Sequence, residues 1–409
     1  MDWKPPIGNF SSDIWGEHRL LVAVVGGNLQ GVEAAYLARK AGWVVKVIDK
    51  NLQAPASGLC DIFVNIDVTA ANDLHRALEG VDLVVPALED DDALTHLIHW
   101  SCRKRIPLAF DPDAYAISSS KLKSAELFTR LDLPVPASWP DCGMPVLAKP
   151  SKGSGSKGVK VFRDSNSLEN YMSTAFSQDG FILQEYLEGS LHSLEVIGIP
   201  GNYRGMQVTD LYVDENFDCK RVVAPSELSS KLVADFEKLS LTIAEALNMR
   251  GIMDVEVILQ KEAFKVLEID VRLPSQTPTT VYRSTGINMI ESLGKVFLKD
   301  FKICQTASHA AVGTVYEHIR VSPDLLEVKG EHIMAGSGTL HLQQDFFGAD
   351  EAITNFDFDK DRWVATLIVS GTDRWSALAK RDRIIKDIAK RYSLKRVDDS
   401  TPVFASRQS

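Results

Sequence analysis

The sequence predicts a protein of mixed α/β and α+β class, with a parallel, doubly wound sheet first and antiparallel sheets after it. The chain has 409 residues, the length of two to three domains. Apolar strand-like runs alternate with helical spacing up to about residue 117, which is typical of a parallel sheet. Beyond Pro134 and Pro136 the strand-like segments are short and separated by glycine and serine, which is typical of antiparallel sheet. We therefore expect a flexible tail at 1–19 and domains at 20–117, 118–190 and 191–409.

The first of these domains begins with an apolar run at 20–25 that ends in Gly26-Gly27 and leads into helical spacing. Further strands are predicted at 44–48, 62–66, 81–86 and 107–110. The run Ser118-Ser119-Ser120 offers helix N-caps for an amphipathic segment at 121–131.

The rest of the chain reads as antiparallel α+β structure. Strands are predicted at 146–149, 159–162, 181–184, 194–199, 251–259 and 264–270, and helices at 229–247, 288–298 and 374–391. The region after residue 302 is predicted to be rich in β-strand.

Composition excludes several functional classes. Apolar residues make up 45% and charged residues 24%, as in ordinary globular proteins. The net charge of −10 has the wrong sign for a protein that wraps nucleic acid, although one local anion can still bind. The five cysteines are far apart, so neither a disulfide framework nor a zinc site is indicated. We expect a cytoplasmic protein with no membrane or nucleic-acid partner, for which an oligomer is possible.

A glycine turn follows the first strand, at Gly26-Gly27-Asn28-Leu29-Gln30-Gly31. Its glycines occupy the first, second and sixth positions, whereas a dinucleotide-binding turn has them at the first, third and sixth. Asp49 ends the next strand, where it suits either a ribose-binding acid or a plain strand end. Three interpretations stay open: a dinucleotide site, a structural turn, and a loop that lines another ligand site.

A second glycine-rich loop runs from Lys149 to Gly158 and contains three glycines, three serines and three lysines between two strands. Backbone amides and ammonium groups of such a loop can fold over a triphosphate. The loop has no Gly-Lys-Ser/Thr that closes into a helix, so it is not a Walker A loop. A solvated hairpin and a phosphate lid fit it equally well.

Four carboxylates alternate along two neighbouring strands. Asp254 and Glu256 share one face of the first strand, and Glu268 and Asp270 share one face of the second, followed by Arg272. Carboxylates that meet across a hairpin repel one another unless a cation lies between them. Mg²⁺, shared with phosphate oxygens, is the expected cation, and Arg272 would stabilise charge on a transferring phosphoryl group.

Taken together, these motifs resemble the ATP-grasp superfamily. The resemblance rests on Lys121, on Lys149 before the glycine-serine loop, on a hinge at 184–189 and on the paired acidic strands. It implies a Rossmann-like pre-ATP domain, an ATP-lid domain and a mixed catalytic core, with ATP between two antiparallel sheets. The implied ATP-binding residues are Lys121, Lys149, Ser154, Gly155, Ser156, Gln184, Glu185, Tyr186, Leu187 and Glu188. The implied ligands of two Mg²⁺ ions are Glu256, Glu268 and Asp270.

Within that superfamily the sequence is similar to the ligases of pyrrolysine biosynthesis. The similarity lies in the glycine turn with 33–37, and in 47–51, 193–196, 251–256, 274–279 and 284–288. It implies ATP-dependent activation of 3-methyl-D-ornithine, with D-ornithine as an analogue, through an acyl phosphate. The ε-amine of L-lysine would then attack and give 3-methylornithyl-N6-lysine.

Both substrates carry ammonium groups, so the site needs carboxylates besides those that hold metal. Glu195 and Asp254 are predicted to bind ammonium and, with Arg272, to act in catalysis. Additional predicted substrate contacts are Ser193, Ser275, Glu89 and Gln30. The alternative for each acid is a surface salt bridge.

Two positions depart from the superfamily pattern. Ser120 stands where an Asp is common, and His192 stands where a ribose-binding Glu is common, so Glu188 is the predicted substitute. Three other functions stay open: a different ATP-grasp amino-acid ligase that makes a dipeptide or purine precursor, an NAD-dependent oxidoreductase, and an inactive nucleotide-binding module.

Overall fold

The N-terminal part is a parallel four-stranded sheet in the order β3-β2-β1-β4, flanked by helices. The structure is a computed structural model that describes residues 19–151, 153, 155–175, 180–298 and 311–400. The strands are β1 (Leu21–Val25), β2 (Val44–Asp49), β3 (Ile62–Asn65) and β4 (Leu83–Pro86), and the helices are α1 (Leu29–Lys40), α2 (Ala71–Ala77), α3 (Asp91–Lys104) and α4 (Pro112–Ser118). Gly26 has φ +104°, and a Cβ there would lie 2.3 Å from the Ala87 carbonyl oxygen, so the turn after β1 requires glycine.

The strand predicted at 107–110 was wrong in extent. The structure has one isolated parallel bridge there, between Val84 and Leu108. Pro107 has no N–H to donate, which shortens any ladder at that position.

The second part is an antiparallel sheet in the order β6-β5-β7. It comprises β5 (Val146–Pro150), β6 (Lys160–Phe162) and β7 (Phe181–Glu185), with α5 (Lys121–Arg130) before it and α6 (Ser165–Ala175) within it. The Ser120 hydroxyl accepts a hydrogen bond from the Lys123 amide at 3.4 Å, so the cap of α5 is the last serine of the predicted run.

The third part is built on a large, mainly antiparallel sheet whose main path is β13-β12-β8-β10-β11-β14-β18-β17-β16 in the described residues. Its strands in the first half are β8 (Ser190–Ile199), β9 (Asn202–Gly205), β10 (Thr209–Val213), β11 (Cys219–Ala224), β12 (Gly251–Gln260) and β13 (Ala263–Asp270). Those in the second half are β14 (Gly313–Ser322), β15 (Leu325–Val328), β16 (His341–Phe346), β17 (Ala349–Thr354), β18 (Trp363–Gly371) and β19 (Arg396–Asp398). Its helices are α7 (Ser230–Leu247), α8 (Thr277–Thr285), α9 (Met289–Phe297), α10 (His332–Ala335) and α11 (Arg374–Arg391).

The N-terminal sheet packs on the large sheet through helices α1, α8 and α9. One buried apolar cluster contains Val22 of β1, Ala34 of α1, Ile252 of β12, Val281 of α8 and Ile290 of α9. The packing brings Glu89, on the loop after β4, to Arg272, which follows β13.

The predicted domain boundaries fall at element ends. The one at 117–118 lies at the end of α4 and the one at 190–191 lies at the start of β8; the division stays a prediction. The tail predicted at 1–19 lies outside the described residues except for its last residue. None of the described helices is long and apolar enough to cross a membrane.

Candidate active site

Two rows of polar side chains cross three neighbouring strands on one face of the large sheet. β8 pairs with β12 and β12 with β13, and alternate residues of each strand project from the same face. The register aligns Ser193, Glu256 and Glu268 in one row and Glu195, Asp254 and Asp270 in the next. The predicted acidic face of β12 and β13 is confirmed, and β8 extends it.

In four acids of these rows, Glu195, Asp254, Glu256 and Asp270, the pKa is raised, which favours the neutral form. Burial, followed by repulsion from Asp254, raises the pKa of Glu195 to about 8. Burial is also the main reason that the pKa is raised to about 6 for Asp254 and to about 7 for Asp270. The pKa of Glu256 lies well above its usual range, because the group is buried and faces Asp254 and Glu268. A cation among these groups would therefore restore their charged forms.

Ser193 connects the carboxylates of the second row. Its hydroxyl oxygen lies 2.5 Å from Oδ1 of Asp254 and 3.3 Å from Oε1 of Glu195. Glu195 is fully buried, yet its Oε2 has no hydrogen-bond partner among the described residues. The nearby helix start holds another such atom, the hydroxyl oxygen of Thr277. Buried polar atoms of this kind are available to a polar ligand.

Two lysines lie beside the first row. Lys121 forms an ion pair with Glu268 at 3.0 Å and donates a hydrogen bond to the Gly153 carbonyl at 2.6 Å. Lys149 is 9% exposed and donates to the carbonyl of Leu267 at 3.1 Å, at a register shift that leaves Leu267 without a partner in β12. Burial lowers the pKa of Lys149. The structure thus brings both predicted lysines to the acidic rows.

Arg272 lies where β13 meets the N-terminal sheet. Its Nη2 is 2.9 Å from Asp270 and 2.8 Å from Glu89, and Gln30 donates a hydrogen bond to the same Glu89 oxygen at 3.0 Å. The Nε of Arg272 is buried without a hydrogen-bond partner in the described part of the chain. Glu89 and Gln30, predicted as substrate contacts, therefore reach the site through Arg272.

The predicted adenine hinge connects β7 to β8. Tyr186 and Leu187 are buried, whereas Glu188 is exposed. The Glu185 amide donates to the Ala137 carbonyl at 2.8 Å, which fixes the strand end before the hinge. Gln184 lies in β7 next to this position. The hinge therefore presents an apolar surface, as a purine ring requires.

Gly155 and Ser156 of the glycine-serine loop contact the third part of the molecule. Ser156 donates its hydroxyl to the Phe217 carbonyl at 2.8 Å. Ser154, which was also predicted to bind ATP, lies outside the described residues.

One acid, Glu331, was indicated by no motif, and one expected position, His192, faces away from the site. Ser275, a predicted substrate contact, forms a hydrogen bond with the carboxyl group of Glu331. Burial raises the pKa of this carboxyl group. His192, at the position of the expected ribose ligand, projects from the opposite face of β8 and lies 2.7 Å from Asp210. Period-two alternation alone could have shown that His192 and Ser193 face opposite sides.

Three metal-ligating side chains do not converge on one point anywhere in the described residues. Lys121 and Arg272 occupy carboxylates that were predicted to bind metal, Glu268 and Asp270. The donors are nevertheless all carboxylate oxygens, which suit Mg²⁺, and Mg²⁺ in nucleotide sites takes its remaining ligands from phosphates and water. The residues fit a metal that arrives with a nucleotide.

Comparisons with known proteins agree with this geometry. A family model described as an ATP-grasp domain matches residues 118–276. The 3-methyl-D-ornithine–L-lysine ligase of Methanosarcina mazei is 34% identical over 381 residues, covering 92% of this chain and 98% of the relative. That of Methanosarcina acetivorans is 34% identical over 364 residues, covering 88% and 95%.

Solved structures share the fold at low identity. An ADP complex of N5-carboxyaminoimidazole ribonucleotide synthetase has a TM-score of 0.67 at 14% identity and covers 89% of this chain and 96% of its own. The β-γ-ATP complex of biotin carboxylase from Campylobacter jejuni has a TM-score of 0.68 at 16% identity and covers 90% and 91%. With relatives that match over almost their whole length, the chain belongs to the ATP-grasp ligases, in the family of the 3-methyl-D-ornithine–L-lysine ligases.

Proposed function

We propose that this ligase uses ATP to join the carboxyl group of 3-methyl-D-ornithine to the ε-amine of L-lysine, in pyrrolysine biosynthesis. One observation carries the proposal: two rows of buried and half-buried acids lie between two lysines at one end and Arg272 at the other. Such a site can bind a triphosphate and two ammonium-bearing substrates side by side. The near full-length similarity to ligases of that name supports the choice of substrates.

Formation of an amide requires that a carboxylate oxygen become a leaving group, and transfer of the ATP γ-phosphate to the carboxylate achieves this. Lys121 and Lys149 would neutralise phosphate oxygens, and the hinge at Tyr186 would hold the adenine. Arg272 would donate its unpartnered Nε–H to the acyl phosphate. Gly155 and its neighbours in the loop would keep water from that intermediate.

Glu256, Glu268 and Asp270 would hold Mg²⁺. When bound, Mg²⁺ supplies positive charge that neutralises the β- and γ-phosphate oxygens. The raised pKa of Glu256 supports this assignment, because a cation beside the group would favour its charged form.

The second row would recognise ammonium groups. With a pKa of about 8, Glu195 is mostly protonated at neutral pH, and an approaching ammonium favours its ionised form. Asp254, to which Ser193 donates a hydrogen bond, would complete this surface, and Glu195 or Asp254 would accept the proton that the attacking amine loses. Ser275, which forms a hydrogen bond with Glu331, would add a hydrogen bond to the substrate.

A different amino-acid ligase of the same superfamily would keep the ATP residues and change the second row. The NAD interpretation has less support, because Asp49 accepts hydrogen bonds from the amides of Gly27 and Asn51 at 2.6 and 2.7 Å. The carboxylate of Asp49 is therefore already engaged by the backbone of the glycine turn and of the loop after β2. A cytoplasmic location, where free thiols such as Cys60 and Cys219 persist, is part of the proposal.

The test is to incubate the purified protein with ATP, Mg²⁺, D-ornithine and L-lysine and to measure ornithyl-lysine by mass spectrometry. We expect one ADP for each amide and no product when either amino acid is omitted. ADP release that ignores D-ornithine would refute the substrates. A product with another amino acid in place of lysine would favour the alternative ligase.

A further inference from the structure

The turn at 214–218, between β10 and β11, contacts the glycine-serine loop of the second part. We call Phe217, Asp218 and His332 the lid seat, because all three lie beneath described residues of that loop. No motif pointed to them, and the chemistry proposed above does not use them. The inference rests on the proposed ATP-dependent function and extends it to a positioning residue.

Hydrogen bonds tie the turn of the lid seat to the segment before α10. Asp214 is 5% exposed and accepts hydrogen bonds from the amides of Asn216 at 2.8 Å, Asp218 at 3.2 Å and Gly330 at 3.0 Å. The turn is thereby fixed to the segment that leads into α10. A Cβ on Gly330 would lie 2.0 Å from the Asp218 carboxyl carbon, so the two segments are in direct contact.

Asp218 holds His332 in one orientation. Oδ2 of Asp218 lies 2.8 Å from Nδ1 of His332 and also accepts from the His332 backbone amide at 3.1 Å. The side-chain hydrogen bond to Asp218 raises the pKa of the imidazole. Asp218 contacts the ring at Nδ1, which leaves the edge formed by Cε1 and Nε2 to face another part of the molecule.

That edge meets the loop at Gly155. A Cβ built on Gly155 would lie 2.6 Å from Cε1 and 2.8 Å from Nε2 of His332, so only glycine fits against the ring. The next residue, Ser156, donates its hydroxyl to the Phe217 carbonyl at 2.8 Å. The Phe217 ring also contacts the Tyr186 ring edge to face, at 6.5 Å between centroids, which links the seat to the adenine hinge.

We propose that His332, held by Asp218, positions Gly155 and Ser156 over the ATP γ-phosphate and so determines how well the loop covers that phosphate. A side chain with this role changes the affinity for a triphosphate more than that for a diphosphate, because only the triphosphate lies under the loop. A purely structural contact would change both affinities alike.

The first experiment compares His332→Ala with wild type in the binding of AMPPNP and ADP, each with Mg²⁺, by calorimetry. We expect the dissociation constant of AMPPNP to rise about tenfold and that of ADP to change less than about twofold. His99→Ala, which removes an exposed histidine of α3, is the matched control and should change neither. Equal weakening of both nucleotides, or no weakening of either, would overturn the proposal.

Asp218→Asn provides a second variant if His332→Ala folds poorly. It retains the shape of the seat and removes the charge that orients the imidazole, so we expect a smaller change with the same preference for AMPPNP. The thermal midpoint of each variant without nucleotide shows whether folding is intact.

A double-mutant cycle tests the contact itself. Gly155→Ala should weaken AMPPNP binding, because the new methyl group meets the His332 ring and because φ is +63° at Gly155. In a His332→Ala background the clash is absent, so the same substitution should cost several-fold less. Strictly additive effects would show that Gly155 and His332 do not interact in the nucleotide complex.

These measurements stand apart from the choice of substrates. If D-ornithine and L-lysine give no amide with wild type, the nucleotide affinities still report on the seat. If the amide forms but His332→Ala changes the dissociation constants of AMPPNP and ADP equally, the proposed role of His332 is refuted while the proposed function remains.

Discussion

At the scale of single residues, the site contains neighbouring acids whose burial and mutual repulsion raise their pKa values. Glu256 faces Asp254 along its own strand and Glu268 across the hairpin, and it is buried. Replacing one carboxylate by an amide removes repulsion without leaving a cavity. Such a variant should therefore lose catalytic activity without losing stability of the folded protein.

We predict that Glu268→Gln lowers turnover by at least about a hundredfold, because it removes a predicted Mg²⁺ ligand and the partner of Lys121. The thermal midpoint without ligand should not fall. Glu262→Gln, in the exposed turn of the same hairpin, is the control and should retain activity. Near-normal turnover of Glu268→Gln, measured as amide formed per minute, would contradict the metal assignment.

A second prediction concerns pH. Because the pKa of Glu195 is about 8 in the folded protein and 4.5 in a model peptide, the folded state binds more protons between these values. Stability of the ligand-free protein should therefore fall as the pH rises from 5 to 8.

Glu195→Gln should remove part of this loss. We expect its thermal midpoint to exceed that of wild type by about 2–5 °C at pH 8 and to match it near pH 5. Scanning calorimetry at the two pH values measures the difference. A variant that is less stable than wild type at pH 8 would show that Glu195 is ionised in a favourable contact.

The sequence predicted much of this acidic face because strand alternation fixes which residues share a side. Asp254 and Glu256 needed no tertiary information, and neither did the capping of α5 by Ser120. Contacts between residues that are far apart in the sequence could not be predicted, because they depend on how the parts of the molecule pack together. Nothing in the spacing of Glu89 and Arg272 indicates that they form an ion pair, and nothing local places His332 against Gly155.

At the scale of elements, α8 shows why one helix was missed. Its sequence, TPTTVYRST, is rich in residues with low helix propensity. The helix starts where the buried carboxylate of Glu33 in α1 accepts from the Thr279 amide at 2.5 Å. A side chain 246 positions away thus supplies the cap that the local sequence lacks.

The strand β19 also has a role that only the fold reveals. It pairs with β15 and delivers Asp399 to Lys220, Arg221 and Arg381, at 3.0, 3.0 and 2.7 Å. Lys220 is fully buried. Without Asp399, Lys220 loses its ion pair, and the two arginines depend mainly on Glu317, which already binds both.

We therefore predict that Asp399→Asn destabilises the protein by about 3 kcal/mol, the usual cost of leaving buried charges unpaired. Urea unfolding measures the change. Asp382→Asn is the matched control, because Asp382 binds the same Arg381 at 3.0 Å but is 58% exposed, so its loss should cost less than about 1 kcal/mol. Equal costs for the two variants would contradict the special role of β19.

At the scale of the whole molecule, the N-terminal sheet is bound to the large sheet by polar contacts as well as by the shared core. Glu351 of β17 accepts from the Tyr36 hydroxyl of α1 at 2.6 Å and pairs with Lys40 at 2.5 Å. Arg283 of α8 lies 3.5 Å from the same carboxylate. These contacts hold the pre-ATP part at a fixed position relative to Arg272.

Glu89 forms an ion pair between the two parts of the molecule. Its carboxylate, on the loop after β4, shares Arg272 with Asp270 of the large sheet. If Glu89 orients Arg272, then Glu89→Gln should lower kcat for amide formation about tenfold and leave the dissociation constant for ATP within about twofold. If Glu89 binds a substrate ammonium instead, the same change should raise KM for D-ornithine and spare kcat.

Steady-state kinetics with D-ornithine varied at saturating ATP and L-lysine separates these outcomes. Asp91→Asn, an exposed acid at the start of α3, controls for the loss of one negative charge near the site. Because Glu89 and Arg272 belong to different parts of the molecule, a kcat effect would mean that the pre-ATP part sets the geometry of phosphoryl transfer. Unchanged kcat and KM in Glu89→Gln would show that the ion pair across the two sheets serves packing alone.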